Sequence, residues 1–292
     1  MAGAVAGSAA QAAAILARAR APRGAADRQK IGDLPDELQE LVSHERGAYT
    51  VQRELHELLA QQRPELGVIA GTKIGCTTAV MQEYLGMSHP CAGAIWSSTA
   101  FVGRGEFGGL WRGGVECEIA VRLVTDIEPL ARGAQHTRES ILPAVGEVLA
   151  AIEIVDDRYV SFEERVPGPY VWVADDFFGA GVVVAEAGAR REGGGLNEID
   201  LSAVKGEMHI NGVEVGSGYG RDIINGHPLE ALVWLANKLA ELRSPSDDET
   251  RPLLPEGHIV MLGSVVQTKW VEAGDVVTVS VDGLGSATAR FT

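Results

Sequence analysis

The spacing of hydrophobic positions changes partway along the chain. Over residues 8–20 an Ala-rich run with Ile15 and Leu16 predicts a helix, because Ala, Leu and Arg are strong helix formers. DELQELVSH, opened by Pro35, predicts a second short helical piece. A longer helix is predicted over about 48–62, where Tyr49, Val51, Leu55, Leu58 and Leu59 recur at helical spacing until Pro64 stops it. Beyond Pro64, glycines and β-branched residues take over. GVIAGTKIGCTT reads as a strand running into a loop, and TAVMQEYLGM as a short helix ended by Gly86. The segment 115–124, VECEIAVRLV, is the clearest strand.

Further along, the pattern predicts a helix over 137–152 (TRESILPAVGEVLAAI) and, within 170–186, a turn followed by an apolar buried strand. REGGG at 191–195 reads as a loop, and Asn211–Gly212 as the turn of a hairpin. A helix from Pro228 to about Leu242 carries Leu229, Leu232, Val233, Ala236 and Leu239 on one face. SPSDDETRP at 244–252 is a polar loop, and the remainder reads as strands joined by glycine turns. Helices followed by a mostly β body with interspersed helices make the chain α+β. We divide it into a helical N-terminal region, 1–65, packed on a body, 66–292, that forms one structural unit.

Hydrophobic residues at 46% and charged residues at 22% are ordinary for a globular protein, and 36 glycines suit tight turns. A net charge of −15 argues against nucleic acid as a partner. It also repels anions, so a carboxylate substrate needs a local cation, either a metal or a buried lysine. Cys76, Cys91 and Cys117 share no metal-type spacing and read as reduced core thiols of a cytoplasmic protein. No apolar run approaches the roughly 18 residues of a membrane span. The Arg-bearing N-terminus has the composition of a transit peptide. Its helix formers favour instead a first helix with Ile15 and Leu16 docked and the arginines solvated.

Glu116 and Glu118 lie two apart in the clearest strand, so they project from one face. Their Cα atoms stand ~7 Å apart, two residues at ~3.3 Å rise. Such carboxylates repel unless solvated, protonated or sharing a cation, and a hard cation takes oxygen ligands. The competing reading is an exposed face with two surface acids. Lys73 stands in GTKIG between a strand and a loop. Glu153, among Ala151, Ile152, Ile154 and Val155, is unsuited to burial without a partner, which Arg158 or a metal could supply. Asp175 and Asp176 pose the same problem, or cap a turn. His44 and His56 read as surface or packing histidines. No P-loop, GxGxxG, HExxH or GxSxG motif is present.

Taken in order, GTKIGCTT with MQEYLGM, VECEIAV, VLAAIEIVDDRY, VADDFFGAGVVV, NGHPLEALVWLANKLAE and LGSVVQTKWVEAGDVVTVSVDGLGSATARF form a connected set. From about residue 45 to the C-terminus the chain resembles the 2-oxopent-4-enoate hydratase and 4-oxalocrotonate decarboxylase group of the fumarylacetoacetate hydrolase superfamily. The resemblance implies a mixed β-roll or sandwich with surrounding helices, and a homo-oligomer. It implies one Mg2+ or Mn2+ held by Glu116, Glu118 and Glu153, with Lys73, its pKa lowered beside the cation, moving a proton or orienting substrate. Ser98, Asp175 and Gln267 are the expected substrate-binding residues. The substrate is a small 2-oxo or 2-hydroxy-dienoate acid, and the expected reaction adds water to give a 4-hydroxy-2-oxo acid in aromatic catabolism. Decarboxylation of a 4-oxalocrotonate-type diacid is the alternative, since both reactions pass through an enolate. A non-catalytic metal-binding or scaffold protein is the reading from another class. Two departures stand out. The strand after LG…P…G usually ends near an acid, where this chain has Ser97 and Ser98, and the usual ADN is Ala174-Asp175-Asp176.

Overall fold

The N-terminal third folds on small side chains. In this computed structural model, which describes residues 2–131, 133–190, 195–243 and 250–292, helix α1 (Ala2–Ala19) buries Ala9, Ala12, Ala13 and Leu16. Alanines keep its packing face thin, so α3 (Glu45–Gln62) lies close against it, with the short α2 (Asp36–Gln39) beside them. His44 caps α3 by accepting the Gly47 N–H. Pro64 follows directly on its C-cap. Helix α4 (Ala79–Leu85) ends at Gly86.

Strands β1 (Ile69–Gly75), β2 (Cys91–Trp96), β3 (Ala100–Val102), β4 (Arg104–Phe107) and β5 (Gly113–Leu123) precede the short α5 (Arg138–Ile141) and β6 (Val145–Asp156). Helix α6 (Pro169–Ala174) leads to β7 (Gly179–Val184) and β8 (Ala189–Arg190), then α7 (Gly195–Glu198). The hairpin β9 (Lys205–Ile210) and β10 (Val213–Tyr219) is followed by α8 (Pro228–Leu242), β11 (Ile259–Trp270), β12 (Val276–Val281) and β13 (Gly285–Phe291). One mixed sheet runs β2-β1-β11-β5-β6-β7-β3, with β8 on β6, and a second runs β10-β9-β12-β13-β4. The second sheet packs on β6, where the Ala150 N–H also reaches the Leu284 carbonyl. The first sheet curls until β2 approaches β7 without pairing to it.

Three expectations need correcting. The stretch 137–152 is not a helix: only Arg138–Ile141 is α-helical, and β6 begins at Val145. Between β5 and β7 this strand is covered on both faces, with Val145, Val148, Leu149, Ala150, Ala151, Ile152 and Ile154 all fully buried. A strand of that kind shows no polar alternation, and its apolar run imitates a buried helix. The segment before β7 holds α6 and a 3-10 turn, more than the turn expected. The N-terminal arginines are not all solvated either. Arg18 is exposed, but Arg20 binds Asp175 at 2.6 Å and Asp176 at 3.2 Å. Most of the expected loops at 191–195 and 244–252 lie outside the described residues, whereas the Asn211–Gly212 turn has the expected positive φ values, 52° and 81°.

The 3-10 turn is strained. Asp176, Phe177 and Phe178 have φ of 53°, 46° and 66°, each costing about 1–3 kcal/mol in a non-glycine residue. Packing holds them there: Phe178 sits edge-on against Tyr159 and Phe162. Gly93 on β2 leaves room for the turn, since a Cβ at that position would stand 2.6 Å from the Asp176 carbonyl oxygen. We expect Gly93→Ala to lose about 1–3 kcal/mol in urea unfolding, a cost of overpacking. Gly7→Ala in α1, with nothing within 4 Å of the added Cβ, is expected to be neutral or mildly stabilising. Equal stability of the two variants would contradict this account.

Candidate metal centre and adjoining cavity

The pairing of β5 with β6 sets Glu116 directly opposite Glu153, and strand alternation puts Glu118 on the same face. One oxygen from each of the three carboxylates lies within 4.8 Å of the others. Glu118 and Glu153 are buried, at 1% exposure each, while Glu116 is partly exposed. The opposite face of β5 holds Val115, Cys117 and Ile119, all in the core.

Neighbours fix each acid. The Thr268 hydroxyl donates to Glu116 Oε1 at 2.5 Å, and the Gly263 N–H donates to Glu118 Oε2 at 3.0 Å. Lys73, buried on β1, brings Nζ to 2.8 Å from Glu153 Oε1. This oxygen is buried, with the Lys73 ammonium as its partner. The ammonium also donates to the Phe177 carbonyl at 2.5 Å and stands 4.8 Å from the Phe177 ring centre.

Burial pushes the Glu116 carboxyl up to about 7, Glu153 adds to the shift, and the Thr268 hydrogen bond and Lys73 oppose it. Glu118 is driven well above the carboxylate range by burial, then by Glu153 and Glu116. Burial alone would lower Lys73, but Glu153, with smaller contributions from Cys91 and Glu116, outweighs it and the net shift is upward. The lowered pKa expected for Lys73 depends on a cation beside it; against the carboxylates alone the sign is reversed. Three hard oxygen donors sharing one buried lysine, and two carboxyls that resist ionising together, fit a divalent cation.

Lys73 and Glu153 also line a cavity of about 350 Å³, within the range of small-ligand sites. Its walls include β2 (Ala94, Ile95, Trp96), β7 (Gly179–Val182) and residues 20–23 after α1. Of the residues expected to act, Lys73, Glu116, Glu118 and Glu153 come together. Ser98, Asp175 and Gln267 do not line the cavity. Ser98 is exposed beside Ser97, whose hydroxyl accepts the Val68 N–H, and Thr99 reaches the wall instead. Gln267 is exposed on β11, next to the Thr268 that holds Glu116.

Asp175 is wholly buried and accepts from Arg20 at 2.6 Å, Arg158 at 2.9 Å and the Tyr159 hydroxyl at 3.1 Å. Arg158 therefore serves Asp175, and Lys73 is the cation of Glu153. Burial alone would raise Asp176, but His56, at 2.7 Å, and Arg20 hold it well below the carboxylate range. Sequence reasoning missed Thr268, the Gly263 N–H, the Phe177 carbonyl and Arg20. None carries a local signal, because each acts through strand register or backbone geometry.

An acidic triad beside a buried lysine, on a curled mixed sheet, defines a class of metal-site α+β proteins. The fumarylacetoacetate (FAA) hydrolase C-terminal family model matches residues 101–292, and the chain belongs to that family. Within it, the chain is 32% identical over 285 residues to 2-keto-4-pentenoate hydratase 1 of Dechloromonas aromatica (strain RCB), covering 96% of each. It is 31% identical over 247 residues to the 4-oxalocrotonate decarboxylase of Pseudomonas putida, covering 84% of each. Among solved structures, 4-oxalocrotonate decarboxylase from Pseudomonas putida G7, complexed with magnesium and adipate, superposes with a TM-score of 0.79 at 26% identity over 97% of both chains.

The raised Glu116 pKa sets a direction for stability. Between its ordinary value near 4.5 and about 7, the folded chain keeps a proton that the unfolded chain has lost, so the metal-free fold weakens as pH rises through that window. Cation binding requires the ionised carboxylate and opposes this loss. Mg2+ is therefore expected to raise Tm more at pH 8 than at pH 6 in matched ionic strength. An equal or smaller shift at pH 8 would rule the account out.

Proposed function

We propose that this chain is a divalent-metal-dependent lyase that adds water to a 2-hydroxy-2,4-dienoate of the 2-oxopent-4-enoate type. The product is a 4-hydroxy-2-oxo acid, formed during breakdown of aromatic compounds. The observation that carries the reading is the buried contact of Lys73 with Glu153, itself part of the triad with Glu116 and Glu118, at the wall of a cavity. The hydratase and decarboxylase names of its relatives support it.

Glu116, Glu118 and Glu153 are assigned as ligands of Mg2+ or Mn2+, which when bound supplies a positive charge that polarises the 2-oxo group of a substrate. Thr268 and Gly263 hold the first two carboxylates in position. Lys73 is assigned as the proton-transfer residue: Glu153 and the Phe177 carbonyl fix its Nζ at the cavity wall. Ile95, Trp96, Leu110 and Val182 are the apolar part of a wall that also carries Lys73, Glu153 and several arginines. Asp175 contributes by locking Arg20 and Arg158, while Ser98 and Gln267 are exposed away from the cavity wall. Residues 1–65 act as a helical cover on the catalytic body, 66–292. The proposal includes a cytoplasmic location, in keeping with three free buried cysteines, and a homo-oligomer.

Decarboxylation of a 4-oxalocrotonate-type diacid is the second reading, and one observation favours it. The end of β2 presents Ser97 and Ser98, and neither lines the cavity, so no carboxylate from that strand end is available to take a proton from water. Loss of CO2 requires no such base. Incubation with 2-hydroxypenta-2,4-dienoate and with 4-oxalocrotonate, following ultraviolet absorbance and CO2, separates the two. Consumption of the dienoate without CO2 is expected; CO2 from the diacid alone would reverse the order, and inertness toward both would leave a non-catalytic member.

Two variants test the roles. Glu116→Ala is expected to abolish the thermal stabilisation by Mg2+ or Mn2+. Lys73→Met is expected to lower kcat by roughly 10²–10⁴, the usual range for general acid–base catalysis, while keeping that stabilisation. A metal shift that survives Glu116→Ala, or full activity in Lys73→Met, contradicts the assignment.

A further inference from the structure

Among the described residues two carboxylates line the cavity, Glu153 and Asp156, and only Asp156 lies outside the acidic triad. Asp156 ends β6, and its two oxygens have different surroundings. Oδ1 accepts the backbone N–H groups of Trp111 at 2.8 Å and Arg112 at 3.0 Å, which fixes the carboxylate against the chain entering β5. Oδ2 has no hydrogen bond among the described residues and meets Arg158 Nη1 only at 3.8 Å. Arg158 is committed elsewhere, to Asp175 at 2.9 Å and to the Gly179 carbonyl at 3.2 Å. On the other side stands Arg28, its guanidinium over the Trp111 ring at 4.3 Å from the centroid. The Asp156 side chain is 6% exposed. A carboxylate so buried, anchored through one oxygen and open at the other, costs free energy until something in the cavity uses the open oxygen.

Burial raises the Asp156 carboxyl above its ordinary value and Asp175 adds to the shift, while Arg158 and the two N–H groups oppose it. The result is a stronger base than a solvated aspartate. Addition of water needs a base, and the end of β2 offers none to the cavity. Asp156 stands three residues beyond Glu153 on the same strand, ~10 Å along it at ~3.3 Å per residue. A water touching C4 of a substrate and hydrogen-bonded to its base takes up roughly 6 Å, two contacts of about 3 Å each, so that spacing has room for both. We propose that Asp156 is a further catalytic residue, whose Oδ2 takes a proton from the water that adds to C4. This rests on the proposed hydratase reading and deepens it. The dienol first loses its hydroxyl proton and gains one at C5 through Lys73, leaving a conjugated 2-oxo-3-enoate acid. The water oxygen then bonds to C4 while one of its O–H bonds breaks toward Asp156. The C3–C4 electron pair moves toward the 2-oxo group, and C3 takes a proton from Lys73. Asp156 releases its proton to solvent and Lys73 regains one, so one water is consumed.

The test uses the full-length protein with Mg2+ in two reactions. One is hydration of 2-hydroxypenta-2,4-dienoate; the other is exchange of the C3 hydrogens of 2-oxopentanoate in D2O, which calls on Lys73 but adds no water. Asp156→Asn keeps an oxygen for the two N–H groups and removes the base. It is expected to lower kcat for hydration by roughly 10²–10⁴ while C3 exchange stays within about threefold of the native rate. A purely structural role would lower both together. Thermal melting verifies folding. If Asp156→Asn is unstable, Asp156→Ala takes its place, and added formate is expected to restore part of its hydration. Unchanged hydration in either variant, equal loss of both reactions in a folded variant, or no rescue of Asp156→Ala by formate would overturn the Asp156 assignment alone. Failure of the native protein to hydrate the dienoate would overturn the hydratase reading together with it.

Discussion

Three carboxylates held within 4.8 Å of one another, with a single lysine against them, constrain everything around β5 and β6. At that distance and an effective dielectric of ~20, each pair of ionised carboxylates repels by roughly 3 kcal/mol. Three such pairs would reach about 10 kcal/mol, the size of a whole domain's stability. The chain avoids that total by letting protons stay on: Glu116 is pushed up to about 7 and Glu118 higher than the usual range. Lys73 offsets part of the rest through Glu153. A cluster that costs this much to fold without a cation would be relieved by one, which is the electrostatic basis of the proposed metal centre.

The same constraint reaches the N-terminal region through a second set of buried charges. Lys73 needs the Phe177 carbonyl, and that carbonyl is delivered by a turn with three successive left-handed residues. The turn is pinned by Asp176, which accepts from Ala94 and His56 and meets Arg20. Next to it Asp175 ties Arg20 to Arg158 and Tyr159. Removing one partner from a buried ion pair leaves the other uncompensated, typically at about 3–5 kcal/mol. Two aspartates thus tie Arg20, the first residue after α1, to the turn that receives Lys73.

Much of this was legible in the sequence where local physics decides the outcome. Helical spacing located α3 and α8, and strand alternation put Glu116 and Glu118 on one face. The resemblance supplied Glu153 and Lys73, which the residues alone could not join, being 80 positions apart in a chain whose folding brings them to 2.8 Å. The reading failed at β6 because burial on both faces erases the period that separates strand from helix. It failed at Arg20 and Arg28 for a different reason. An arginine in an Ala- and Gly-rich stretch looks solvated unless the acid or ring that receives it, here Asp175 and Trp111, is known to be near.

That failure bears on how one centre serves different reactions. Water addition and decarboxylation demand the same stabilisation of charge on a 2-oxo acid, so the triad and Lys73 cannot distinguish them. The distinction must come from groups that meet the substrate's far end or its water, and those lie on the cavity walls. In this chain the walls are the residues after α1, the end of β2 and the start of β7. In the group the sequence resembles an acid is expected where the end of β2 has Ser97 and Ser98, and after α1 Arg28 lies on Trp111 in a stretch with no helical or strand period. The three glutamates are tied down by strand register and electrostatic cost. Much of the cavity wall lies on connecting segments and strand ends, where a change of side chain leaves the pairing of Glu116 with Glu153 undisturbed.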